Sequence, residues 1–211
     1  MNTMRFLFLA PFGACLLWLA SVHSEPPADS GSATEGRNLL VNGGFETGLS
    51  HWEIDNFGKH TRMERDPSQK HDDHASLRVM NTVAAHTFVR QIVTGKANTH
   101  YRLTGFIMTK DVKPGPNVTE TGAVLMVGRQ AVYTPLLAGT QPWTPVSVDF
   151  TTKADPTIRV GPSLGTDATF ATGTAWFAEL KLVEVPDPTT HARASGFIHG
   201  SLASLLSPAL H

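Results

Sequence analysis

The chain has 211 residues, 41% of them hydrophobic and 17% charged, enough apolar material for a single sizeable core. Its 17 basic residues face 18 acidic ones, and no basic run appears anywhere. That balance argues against a nucleic-acid or anionic-membrane partner, because both need a concentrated basic surface.

Arg5 precedes an apolar run from Phe6 to Ala20, and Val22-His23-Ser24 supplies the small residues of a cleavage site. Residues 1–24 therefore read as a secretory signal peptide, which places the product outside the cytoplasm, periplasmic or extracellular. The run is about 15 residues long, short of the roughly 20 that a membrane span needs, so the mature chain is expected to hold no transmembrane segment. A lipoprotein reading through Cys15 is disfavoured, since apolar residues continue well past it. Cys15 is the single cysteine and leaves with the signal, so no disulfide is expected. From residue 25 to 37 the composition is Pro, Ser, Gly, Ala and acids without periodicity, a flexible linker.

Between Leu39 and Val185 short β-branched or aromatic runs alternate with Gly, Pro, Asn and Asp. The spacing predicts an all-β antiparallel sandwich. Leu39–Val41 can pair as a first strand. Further strands are expected near Trp52–Asn56, Thr61–Glu64, Ser76–Asn81, Thr87–Thr94, Tyr101–Thr109, Gly122–Val127, Thr144–Thr152, Thr157–Ser163 and Ala175–Val185. No segment sustains a 3.6-residue apolar period, which disfavours βαβ architectures. Tyr101, Leu103 and Ile107 suit one core face, and Val146, Val148 and Phe150 suit another, with polar residues between them. Beyond Pro186, residues 187–211 form a mildly apolar tail, read as a short helix or a disordered end.

Asn38-Leu39-Leu40-Val41-Asn42-Gly43-Gly44-Phe45-Glu46-Thr47-Gly48, followed by Trp52, is the most distinctive stretch. It resembles the opening of CenC-type carbohydrate-binding modules (CBM4/9-like), jelly-roll β-sandwiches of the galactose-binding-like fold. Ala75-Ser76-Leu77-Arg78-Val79, Tyr101 to Ile107, Trp143-Thr144-Pro145-Val146 with Phe150-Thr151-Thr152, and Gly173-Thr174-Ala175-Trp176-Phe177-Ala178-Glu179-Leu180 are similar to later segments of the same family, in order. The resemblance spans residues 38–186 and implies one module with a carbohydrate partner, poly- or oligosaccharide. Such modules usually accompany an enzyme, so a separately encoded enzyme or surface protein is an expected associate.

The resemblance also implies a structural calcium ion held by Glu46 and by acids of the last strand. Here the family's Asp-Asp is Ala178-Glu179, which weakens the donor set, while Asp72 and Asp73 offer replacement oxygens. His71-Asp72-Asp73-His74 could hold zinc or copper only with a third ligand, and the surroundings favour a solvated loop. For sugar stacking, Trp52, Trp143 and Trp176 fall at positions that pack in the family, and Tyr101 points inward. Tyr133 and Phe57 remain as exposed platforms, whereas core packing is the better reading for Phe106. Arg90 and Arg102 on the wet faces of their strands could grip hydroxyls or a uronate carboxylate.

No Gly-x-Ser-x-Gly elbow, His-Glu-x-x-His or phosphate loop is present. The expected function is non-catalytic glycan recognition. The rivals are a structural or protein-interaction sandwich and a small polysaccharide-degrading enzyme, the last testable by where Glu46, Glu120 and Glu179 lie.

Overall fold

The structure, a computed structural model, describes residues 36–187. The expected signal peptide, most of the linker and the tail from residue 188 lie outside the described residues.

Ten strands are present: β1 Glu53–Asn56, β2 Thr61–His71, β3 His74–Ala85, β4 Thr87–Thr94, β5 His100–Pro114, β6 Ala123–Val127, β7 Val132–Tyr133, β8 Gly139–Thr151, β9 Thr157–Leu164 and β10 Ala171–Glu184. All pairings are antiparallel. They build two five-stranded sheets, β1-β4-β9-β6-β7 and β2-β3-β10-β5-β8. The inner faces interdigitate through Leu77, Val79, Val89, Leu103, Ile107, Leu125, Val160 and Phe177, all buried. Alternation decides the faces. Tyr101, Leu103 and Ile107 of β5 point into the core, while Arg102, Thr104, Phe106 and Met108 point out. No helix occurs among the described residues, and none there is long and apolar enough to cross a membrane.

Three expectations are corrected. Leu39–Val41 is not a strand. It runs along the seam between the sheets, with the Leu39 N–H on the Leu182 carbonyl (2.8 Å) and the side chain of Gln91 bonded to both Val41 backbone groups (2.8 Å each). The apolar triplet was legible, but its partner is a seam rather than a ladder. Phe106 faces outward, because β5 keeps strict alternation through Gly105. Most of the second sheet's strands also run longer than their apolar cores suggest, since polar residues alternate onto a wet face and carry no hydrophobic signal.

The Asn-Gly-Gly-Phe-Glu stretch is scaffold. Asn42 has φ 55° and its side chain bonds the Gly48 and Ser50 carbonyls (2.9 Å each) and the Thr47 N–H (3.2 Å), closing the loop 42–52. The indole of Trp52 donates to the Asn42 carbonyl (3.0 Å) and its ring lies 5.2 Å from that of Phe45. Gly43 is required at its position: a Cβ there would stand 2.2 Å from the Leu180 carbonyl oxygen. In return the Leu180 N–H bonds the Gly43 carbonyl at 3.0 Å. The loop is thereby locked to β10 at the bulge between Ala178 and Lys181.

Candidate functional site: the outward face of the second sheet

The register of β2, β3, β10 and β5 sets outward side chains in rows across the strands. Arg62 pairs with Met80, Met80 with Thr174, and Thr174 with Lys110. One row on, Glu64, Arg78, Trp176 and Met108 align. The next row places Asp66, Ser76 and, on the far strands, Ala178 opposite Phe106 and Phe106 opposite Pro145.

Trp176 anchors this surface. Its ring is buried on the outward face, and its Nε1–H donates to Asp66 Oδ2 at 2.9 Å. Asp66 holds the irregular end of β2 in place by accepting from the Ser68 hydroxyl (2.6 Å) and from the backbone N–H groups of Ser68 (2.9 Å) and Gln69 (3.2 Å). Burial pushes the Asp66 carboxyl up, but these bonds and the one from Trp176 outweigh it and bring the pKa down to about 2. Gln69 is thus fixed as one wall of a groove of about 420 Å³ whose floor includes Met108 and Trp176 and whose opposite wall is Thr140, Gln141 and Pro142. Lys110 and Asp111 also line it. That volume lies in the range of small-ligand clefts, roughly 300–1,000 Å³.

Beside the groove stands an aromatic cluster. The imidazole of His71 stacks on Phe106 with centroids 3.8 Å apart and meets Trp143 edge-on at 5.5 Å. Phe106 therefore presents little free face. A second pocket of about 450 Å³ opens where β2 begins, bordered by Lys59, His60, Thr61, Arg62, Met80 and Thr82.

The residues singled out from sequence for ligand binding are not brought together. Phe57, 61% exposed, sits between β1 and β2, and Tyr133, 43% exposed, lies on the edge strand β7 of the first sheet. Arg90 points outward from the first sheet and is paired with Asp55 (2.6 Å) and Glu53 (3.4 Å). Arg102 is on the second sheet's outward face, but its fork holds both Asp149 oxygens at 2.7 Å. The hydrogen bond from Arg102 draws the Asp149 carboxyl below its usual range. The groove itself was missed. Gln69, Met108, Gln141 and Pro142 belong to no motif, and only the outward alternation of β5 pointed to Met108.

The acids expected at a cation site are divided between two clusters. Glu46 accepts from Arg65 (3.2 Å), His74 Nδ1 (3.1 Å) and the Ala75 N–H (3.2 Å). The His74 and Arg65 contacts draw its carboxyl below the usual range. Glu179, with φ 52° at the β10 bulge, meets His71 Nδ1 at 2.5 Å. Asp72 and Asp73 form the two-residue turn between β2 and β3, both with positive φ, as a type I′ hairpin requires. Glu46 is thus already engaged by Arg65, His74 and an N–H, and the side chain of Ala178 offers no oxygen. These side-chain carboxylates, divided between two clusters, do not by themselves supply the six to eight oxygens that calcium takes. His71, Asp72 and Glu179 bring one imidazole nitrogen and two carboxylates within 4.8 Å of one another, a donor mixture suited to a borderline metal ion such as zinc rather than to calcium.

Comparison with known proteins bears on the fold. No family model and no curated protein sequence matches the chain. Among solved structures, the carbohydrate-binding module TmCBM61, determined with β-1,4-galactotriose, is 20% identical with a TM-score of 0.50, over 71% of this chain and 99% of that one. A Bacteroides thetaiotaomicron protein described as sugar-binding is 12% identical with a TM-score of 0.52, over 71% of this chain and all of the other. In its described part, the chain has the antiparallel β-sandwich fold of carbohydrate-binding modules.

Proposed function

We propose that this chain is an exported, non-catalytic glycan-binding module that takes an oligo- or polysaccharide across the outward face of the second sheet. The observation that carries this is the groove floored by Met108 and Trp176 and walled by Gln69 and Gln141, in which apolar floor and amide walls suit a sugar's C–H faces and hydroxyls. A module solved with a galactotriose shares the fold, which supports a glycan partner. The carboxylates considered for catalysis do not form a facing pair at the groove. Glu46 and Glu179 are bound in separate clusters, and Glu120 is exposed in the loop between β5 and β6. The apolar run 6–20 supports export.

Affinity electrophoresis against a panel of soluble glycans tests the reading. Met108→Ala with Gln141→Ala is expected to reduce retardation on the bound glycan at least tenfold while the thermal midpoint stays put. Loss on Tyr133→Ala or Arg90→Ala instead would move the site to the first sheet. The sparse supply of free aromatic faces favours one rival, a protein-interaction sandwich, which gains if no glycan retards the chain.

A further inference from the structure

The ion pairs of this module are unevenly distributed. Arg65, Arg78, Arg90, Arg102, Arg129 and Lys96 each meet a carboxylate. Lys59, Arg62 and Lys110 meet none among the described residues, and all three line the two cavities of the second sheet's outward face. Arg62 and Lys110 stand at the two ends of a single row, Arg62-Met80-Thr174-Lys110, three strand steps apart or about 14 Å. His60 joins Lys59 and Arg62 in the pocket at one end. Among the described residues Arg37, Lys70, Lys113, Lys153, Arg159 and Lys181 also meet no carboxylate, but the pocket of Lys59 and Arg62 is set apart because no carboxylate lines it.

Nearby carboxylates do not cancel its charge. Glu64 is engaged by Arg78, and Asp66 is buried and bonded to Trp176, Ser68 and Gln69. Asp111 is the carboxylate that lines the groove, and it sits beside Lys110 rather than at the Arg62 end. Lys59 and Arg62 share one pocket whose lining holds no carboxylate, so their mutual repulsion is relieved by an anionic ligand.

We propose that the glycan taken by this face is acidic. A sugar unit bearing a carboxylate or a sulfate seats in the pocket of Lys59, His60 and Arg62, and the chain continues over Met80 and Thr174 into the groove beside Lys110. This rests on the glycan-binding reading above and names the ligand class. The guanidinium of Arg62 offers a planar fork that matches either anion, Lys59 adds a point charge, and the His60 ring adds a further hydrogen-bonding group. The two cavities are one binding surface, with a charged end and an apolar middle.

Titration calorimetry of the full mature chain with three probes tests this: an oligogalacturonate, a sulfated galacto-oligosaccharide and a neutral β-1,4-galacto-oligosaccharide. At least one anionic probe is expected to bind about tenfold or more tightly than the neutral one, and which of the two does so separates carboxylate from sulfate. Arg62→Ala should lower anionic affinity about tenfold, Arg62→Lys less, and the neutral probe should be unaffected. Lys153→Ala, on the loop before β9, should change nothing. Anionic affinity should also fall as salt is raised from about 0.05 to 0.5 M, because rim charges are screened. Equal affinity for neutral and anionic probes, or insensitivity to Arg62→Ala, overturns the acidic assignment and leaves the module reading standing. No binding of any probe or of the wider glycan panel overturns both.

Discussion

At the residue scale, the carboxylate of Asp66 does more than any other single group to shape the candidate site. It is buried, accepts four hydrogen bonds and fixes both Trp176 and the segment that carries Gln69. Its pKa is lowered from 3.8 to about 2, so its stabilising contribution is complete above the unfolded value and is lost as pH falls through the folded one. The shift corresponds to about 2 kcal/mol. Asp66→Asn is therefore expected to destabilise the fold by about that amount at neutral pH, and to flatten the loss of stability that the parent shows between about pH 4 and 2. Urea unfolding at a series of pH values checks both. An unchanged acid limb in Asp66→Asn would mean that other carboxylates govern it.

Secondary-structure elements are joined in this molecule by side-chain amides and tight backbone approaches as much as by ladders. Asn81 on β3 is buried, donates to the Ala85 and Ala171 carbonyls (3.1 and 3.2 Å) and accepts from the hydroxyls of Thr61 and Thr87 (2.7 and 2.8 Å). One amide thus ties β2, β3 and β10 to β4 of the opposite sheet. The loop 42–52 is tied to β10 in an equally demanding way through Gly43. Gly43→Ala forces a Cβ into the Leu180 carbonyl and is expected to cost about 2 kcal/mol or more, read as a lowered thermal midpoint. Gly48→Ala is the control: its site is open, so only the φ of 66° opposes it and the cost should be smaller.

At the scale of the whole molecule, cation dependence and ligand binding separate the readings. Glu46 already accepts from Arg65, His74 and the Ala75 N–H, so its carboxylate has partners without calcium. Scanning calorimetry with millimolar calcium against chelator should therefore shift the thermal midpoint little, by about 1 °C or less on the scale where 1 kcal/mol gives about 2–4 °C for a domain this size. A rise of many degrees with calcium would show that the ion displaces Arg65 or His74 and restores an oxygen cage. Glycan binding should persist in chelator for the same reason, since neither the groove nor the Lys59–Arg62 pocket draws on Glu46 or Glu179.

Several strands were legible because one face lies against the core: Leu77 and Val79, Tyr101 and Leu103, Val146 and Phe150 announce their faces by alternation alone. The turns were legible where chemistry demands a residue type, as at Asn42-Gly43 and Asp72-Asp73. Sequence thereby determined the fold class, most strand positions and most inward faces, while Leu39–Val41, β7 and the outward Phe106 escaped it. Which polar residues would meet was decided only by tertiary structure, because an exposed side chain has no local signal of its partner. Arg90 and Arg102 read alike in the sequence, yet each is consumed by carboxylates on neighbouring strands. Lys59, Arg62 and Lys110 read as ordinary surface charge until strand register set them around one face. The groove likewise exists only because Asp66, far from Trp176 in sequence, bonds its indole and holds Gln69 opposite Gln141.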